Sequence, residues 1–206
     1  MTFDAISAVS TLDTFAHTTS GSNRVLYLYV TCASAEQAGI SATYGGDALT
    51  AVDFEDAGDA TGLKTFYKIG PDVGANNVVI TGSSGHRAIA VSYHGARQST
   101  VPDTTHTDGA AATATSRTLA ITSVSQSCWK IMCVYVSAGN ATFTSGAGTT
   151  LRSSGAANQY LAVLDSNGPL PIGASNLVVS FANNLNVATG WAFAPTSVAA
   201  SMLMVF

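Results

Sequence analysis

The 206-residue chain is 47% hydrophobic and only 10% charged, with a formal net charge of −4 and a mean hydropathy of +0.28. So apolar a chain is not intrinsically disordered, yet its longest apolar runs fall far short of the roughly 18 residues that a membrane-spanning helix needs. Its eight Lys and Arg are scattered singly, so no concentrated basic face is offered to nucleic acid or to an anionic membrane, and neither is expected as a partner.

Gly, Ser, Thr, Asn and Asp punctuate the chain, with short β-rich runs between them. Residues 24–32 form the clearest strand. Leu26, Leu28, Val30 and Cys32 fall on one face, and Val25, Tyr27, Tyr29 and Thr31 on the other. Both faces are apolar or aromatic, which predicts cover on both sides. Residues 40–44 turn at Gly45-Gly46 into 48–54, a hairpin pattern. Residues 63–69 end at the turn signal Gly70-Pro71-Asp72. In 87–93, Ile89, Val91 and Tyr93 share one face, while the other holds only Ala88, Ala90 and Ser92. Further runs lie at 77–81, 118–124, 129–137, 141–152, 159–165, 176–182, 190–194 and 201–206. No window carries a sustained helical period; at most Ala35-Glu36-Gln37-Ala38 makes one helical turn.

About twelve short strands with almost no helix predict an all-β fold: a two-sheet antiparallel β-sandwich, for which a jelly-roll-like arrangement suits the strand count. The Thr/Ala/Asp/Ser-rich stretch 97–116 is expected to be a long crossover loop within a single domain spanning 1–206. Two half-size sandwiches would bury their cores poorly.

The residues that could carry chemistry are few. Cys32, Cys128 and Cys133 sit in strand-like segments and read as buried free thiols. The five-residue spacing of the last two points them to opposite faces. His86 and His94 would share a strand face but lie roughly 26 Å apart, too far to share a metal. His106 sits in a polar loop. Asp53, Glu55, Asp56 and Asp59 are the densest charge in the chain. They are calcium candidates by their oxygen donors, although their spacing departs from the known calcium loop. Gly82-Ser83-Ser84-Gly85-His86 has the wrong glycine spacing for a nucleophile elbow. No paired inward carboxylates of the glycosidase kind are apparent. The chain therefore reads as a non-enzyme with no catalytic residues and no cofactor. Tyr27, Tyr29, Trp129, Tyr135 and Trp191 could fill a core, form an interface or line a surface glycan platform.

Four segments taken in order, Ser20-Gly21-Ser22-Asn23-Arg24-Val25-Leu26, Thr43-Tyr44-Gly45-Gly46-Asp47-Ala48-Leu49-Thr50, Phe66-Tyr67-Lys68-Ile69-Gly70-Pro71 and Ser92-Tyr93-His94-Gly95-Ala96, resemble a jelly-roll-like β-sandwich module. That module is found in phage structural proteins and in large bacterial surface proteins. The resemblance implies a scaffold without catalytic residues. The module normally sits within longer surface chains, whereas here it is expected to stand alone.

With no signal peptide at the N-terminus, the expected role is a phage virion structural protein, made in the host cytoplasm and carried in the virion. Capsid decoration or cement comes first, and a head–tail accessory subunit next. Such a protein would act as a homo-oligomer or through contacts with other capsid or tail subunits. Tyr27, Tyr29, Met202, Met204 and Phe206 are the candidate contact residues. The alternative is a carbohydrate- or cell-surface-binding module of tail or adhesin type.

Overall fold

The computed structural model describes residues 1–99, 102–103, 107–138, 142–153 and 160–196. These hold fifteen strands: β1 (Thr2–Ile6), β2 (Thr14–Thr19), β3 (Val25–Ala33), β4 (Ser41–Tyr44), β5 (Asp47–Ala48), β6 (Thr50–Asp56), β7 (Thr61–Ile69), β8 (Gly74–Thr81), β9 (Arg87–His94), β10 (Thr107–Ser123), β11 (Trp129–Val136), β12 (Thr144–Ser145), β13 (Thr150–Leu151), β14 (Leu161–Asp165) and β15 (Gly173–Phe193). No helix occurs among the described residues.

The chain is an all-β antiparallel sandwich, as its strand pattern requires. Its hydrogen bonds divide it into three sheets, one more than the pattern suggested. The first runs β1-β9-β3-β7-β6, the second β2-β8-β4-β5, and the third β10-β15-β11-β14-β13 with β12 also on β15.

The first sheet is the central layer, and β3 is its spine. β3 pairs along its length with β7 on one side and β9 on the other, so its backbone groups are satisfied within the sheet. Its two apolar faces then find two covers. Leu26, Leu28, Val30 and Cys32 pack with Ile40, Ala42, Tyr44, Val78 and Ile80 of the second-sheet side. Val25, Tyr27 and Tyr29 pack with Trp129, Ile131, Cys133, Tyr135, Trp191 and Phe193 of the third sheet. The two-faced apolarity of 24–32 was therefore a true signal of double cover. The small Ala88 and Ala90 of β9 face the second sheet, while Ile89, Val91 and Tyr93 join the larger cluster.

The third sheet covers its own far face. Thr107 to Ala114 of β10 pair with the second half of β15, and Ser116 to Ser123 pair with its first half. The register breaks between Ala114 and Ser116, where the partner jumps from Asn184 to Ser180. Such a bulge bends a strand pair. Beyond it, Leu119, Ile121, Leu177, Val179 and Phe181 fold back onto Met132, Val134, Val136, Ala188 and Ala192. Gly190 permits this approach: a Cβ there would lie 2.6 Å from Ile121 Cδ1 and 2.7 Å from Leu119 Cδ2.

This fold-back changes three expectations. Residues from Thr107 onward in the predicted loop 97–116 are strand, because Ala and Thr suit the long ribbon as well as a loop. The predicted strands 176–182 and 190–194 are one 21-residue strand. The intervening Asn183-Asn184-Leu185-Asn186 marks the bend, not a chain break. Two of the strands are long instead of short, β10 having 17 residues. In contrast, the Gly45-Gly46 turn is as predicted, with φ of 61° and 93° supplying the left-handed pair that a tight turn needs. Its second arm, however, is only β5, and residues 50–54 of the predicted arm 48–54 belong to β6, which crosses to the first sheet to pair with β7.

Candidate functional site

The aromatic side chains converge between the first and third sheets. Tyr27 stacks on Trp191 at 6.5 Å and on Tyr29 at 6.4 Å, while Tyr93 meets Phe193 edge-on at 4.9 Å and Trp129 at 5.8 Å. Tyr27 and Tyr29, candidates for contact with another subunit, are fully buried in this chain's own core. The same burial covers Trp129, Tyr135 and Trp191 and removes them as a glycan platform, since a stacking sugar needs an exposed ring face. Met202, Met204, Phe206 and His106 lie outside the described residues.

The hydroxyls of Tyr27 and Tyr29, and Thr65 Oγ1, are buried without a hydrogen-bond partner among the described residues. Burial drives both phenols far above the ordinary tyrosine range. A buried hydroxyl with no partner costs about 1–3 kcal/mol. Tyr29→Phe is therefore expected to raise unfolding free energy by about 1 kcal/mol in urea titrations. A loss on this substitution would show that the hydroxyl is hydrogen-bonded in solution.

The acidic candidates are spread along one strand and its turn. Asp53, Glu55 and Asp56 lie on β6, so alternation sends Asp56 to the face opposite the other two. Asp56 Oδ1 accepts from Gly58 N at 2.7 Å, and Asp59 Oδ1 accepts from Thr61 Oγ1 at 2.6 Å. Both thus brace the β6–β7 turn. Among the described residues no three His, Cys, Asp or Glu are grouped to hold a metal. The calcium expectation for Asp53, Glu55, Asp56 and Asp59 finds no site there. Ser83 and Ser84, in the motif rejected as a nucleophile elbow, donate to the Glu36 carboxylate. The three thiols are free and buried, with Cys128 and Cys133 in different cores as their spacing predicted. Burial pushes the Cys32 and Cys128 thiols up to about 11, which leaves them unreactive at neutral pH.

Three polar clusters were not foreseen. In the first, fully buried Asp165 accepts from Arg152 Nε at 2.7 Å and Nη2 at 2.9 Å, from the Tyr93 hydroxyl at 2.8 Å, and from Asn167 N at 2.9 Å. The Arg152 guanidinium also lies 4.4 Å from the centre of the Phe3 ring. This cluster ties β14 of the third sheet to β9 and β1 of the first. Its signal in the sequence is a lone acid closing the apolar run Leu161-Ala162-Val163-Leu164.

In the second cluster, Asp103 takes Arg97 Nη2 at 2.8 Å, Val124 N at 2.8 Å and Ser125 N at 3.0 Å. Burial opposes its charge, but hydrogen bonds from Ser125 and Val124 outweigh that and hold the carboxyl at about 2. Arg97 N and Asp103 N donate to Ala194 O and Ala192 O, so this cluster anchors the passage from the first sheet to the third.

The third cluster has the residue types of a hydrolase but not the arrangement. His17 Nε2 lies 3.0 Å from Ser92 Oγ, which donates to Asp4 Oδ2 at 2.8 Å. The single hydroxyl proton of Ser92 thus goes to Asp4, and His17 supplies the other proton from Nε2. A nucleophilic serine needs the imidazole as acceptor, with the carboxylate behind it. Ser92 is also fully buried. The cluster joins β1 and β2 to β9.

Its chemistry predicts acid sensitivity. Burial lowers the His17 imidazole to about 4, against a smaller upward pull from Asp4. The unfolded chain binds the histidine proton near pH 6.5 and the folded chain only near 4, so stability is complete above 6.5 and falls as pH drops toward 4. The loss by pH 4 is about 3 kcal/mol. Asp4 is lowered because hydrogen bonds from Ser20 and Ser92 outweigh its burial. Its contribution is lost at still lower pH, together with that of Asp103. His17→Gln should abolish the loss between pH 6.5 and 4 in pH-dependent denaturation while leaving the lower-pH loss; an unchanged profile would clear His17 of this role.

No known family model matches the chain, and no curated protein and no solved structure matches it.

Proposed function

We propose that the chain is a non-enzymatic structural subunit of a phage virion, acting through subunit–subunit contacts as a capsid decoration or cement protein or as a head–tail accessory. The observation that carries this reading is the outward side of the β10–β15 ribbon. Ser116, Thr118, Ala120 and Thr122 are exposed on β10, beside exposed Ala174, Asn176, Ser180 and Ala182 on β15. A broad sheet surface of small, uncharged side chains is cheap to desolvate and sterically open to a neighbour, whereas freely diffusing proteins commonly rely on surface charge to stay apart. The acid–base groups that the fold gathers are used to hold strands together, in keeping with a scaffold. The expected resemblance to phage and surface-protein modules supports the same reading, and assembly in the host cytoplasm followed by incorporation into the virion goes with it.

Mass spectrometry of purified particles tests the proposal. The chain should be present in stoichiometric amount, and purified chain should bind particles stripped of it. Absence from every purified particle fraction would overturn it. The glycan-binding alternative has lost its aromatic platform to the core.

A further inference from the structure

We infer that β2, the edge of the second sheet, pairs antiparallel with β2 of a second copy of this chain, Ala16 meeting Ala16 on the two-fold axis. The inference rests on the structural-subunit reading and names one contact through which such a subunit assembles.

An edge strand offers unpaired N–H and C=O groups to any strand that can approach, and proteins blunt such edges with charge, brevity or bulges. Most edges of this molecule are blunted in these ways. β5 and β13 are two residues long. β6 carries Asp53, Glu55 and Asp56, and its register shifts between Ala51 and Asp53. β1 carries Asp4 and shifts between Phe3 and Ala5. β10 carries Asp108 and Arg117 and shifts at Gly109/Ala112 and Ala114/Ser116. β2 is different. Its sequence Thr14-Phe15-Ala16-His17-Thr18-Thr19 holds no acid, no Lys or Arg and no proline. Its one titratable side chain, His17, is lowered to about 4 by burial and is neutral at pH 7. The strand keeps an unbroken register with β8, and among the described residues no strand pairs with its other side.

The bonds around β8 show which β2 groups face outward. Asn77 O accepts from Gly45 N on the β4 side, whereas Ile80 N donates to Asp13 O on the β2 side. Successive residues of a strand bond to opposite sides. Gly74, Asn76 and Val78 therefore bond toward β2, where they lie opposite Thr19, His17 and Phe15. Alternation then turns the N–H and C=O of Thr14, Ala16 and Thr18 away from β8, toward the free edge. The side chains of these same three residues are exposed.

A two-fold axis through Ala16 sets Thr14 opposite the second copy's Thr18, and Ala16 opposite the second copy's Ala16. Every residue so matched carries outward groups, so each pair exchanges N–H···O bonds in both directions. Threonines directly opposite each other support pairing, and alanine against alanine raises no steric barrier. Half-buried Phe15 falls opposite the second copy's His17 and gains cover, and Asp13 falls opposite the second copy's Thr19, so no like charges meet. Leu12, 64% exposed, lies just before β2 and flanks the contact at each end. The two second sheets join into one continuous sheet through an isologous interface.

Sedimentation equilibrium of the purified chain tests this. At roughly 100 μM, about ten-fold above a Kd on the order of 10 μM, the chain should be mostly dimeric. Ala16→Lys sets two ammonium groups against each other on the axis and should yield a monomer, as should Ala16→Glu. An equimolar mixture of the two variants should dimerise again, because opposite charges then meet at position 16. Thr118→Lys, on the exposed face of β10, should stay dimeric. Amide exchange gives a readout that needs no variant: protection of Thr14, Ala16 and Thr18 should rise with wild-type concentration, while Phe15, His17 and Thr19, already bonded to β8, should not change. A monomeric wild type, an Ala16→Lys chain that stays dimeric, or Thr14, Ala16 and Thr18 amides that ignore concentration would each overturn self-pairing. A monomer that is nevertheless found on purified particles would leave the virion reading standing and sink only this inference. A β2-paired dimer absent from all particles would do the reverse.

Discussion

Arg152→Ala is expected to lower the unfolding free energy by about 3–5 kcal/mol, the range for removing one partner of a buried ion pair. Asp165 is fully buried, and both its oxygens are engaged by the guanidinium in a fork, at 2.7 and 2.9 Å. Without Arg152 the carboxylate keeps the Tyr93 hydroxyl and Asn167 N but loses its only counter-charge among the described contacts. Arg152→Lys should cost less than alanine but more than nothing, because an ammonium restores charge without the planar fork. Adding Asp165→Asn to Arg152→Ala should recover part of the loss, since the buried charge is then gone. Urea denaturation of the four proteins checks the pattern. A loss below about 1 kcal/mol for Arg152→Ala would place the pair among solvated surface bridges instead.

Trp191→Ala should cost about 3–5 kcal/mol, the range for deleting a large buried aromatic. Trp191 sits on β15 opposite Ile131 of β11, stacked against Tyr27 across the interface between the first and third sheets. Alanine there removes that stack and leaves a hole beside Tyr27. For a chain of this length the loss corresponds to a fall in Tm of about 10 °C. The same experiment asks whether the residues of the two sheets melt as one unit. The shared aromatic cluster predicts a single calorimetric transition for the wild type. If the sheets were only loosely joined, Trp191→Ala would shift the third sheet alone and split the transition in two.

Both predictions concern the contact between the first and third sheets, and that contact was only half legible beforehand. The alternation in 24–32 showed that Tyr27 and Tyr29 needed cover, and apolar 129–137 showed a strand capable of giving it. Nothing local said that the two would meet. Arg152 and Asp165 illustrate the gap more sharply: they are separated by a hairpin's length, and Tyr93, which shares their cluster, comes from the other half of the chain. Likewise His17, Ser92 and Asp4 occupy three strands of two sheets, and each is unremarkable in its own segment.

β1 and β2 went unread, and among the described residues the predicted strand 141–152 is only the two short strands β12 and β13. The sequence by itself determined the central strands, among them β3, β7, β9, β11 and β14, their two-residue alternation, the Gly45-Gly46 turn and the burial of three free thiols. These depend on interactions within a few residues, which side-chain shape and backbone preference govern directly. Only the tertiary structure decided that β10 and β15 continue through their bends, that the ribbon folds over Gly190, and that the aromatic residues face inward instead of toward a ligand or a neighbour. Those outcomes depend on which strand pairs with which, and in what register. Pairing is settled by the free energy of burying whole faces against one another, a property no single segment contains. The low charge that first set this chain apart is explained in the same way: its apolar residues fill three cores, and its small uncharged ones are left on the β10 edge.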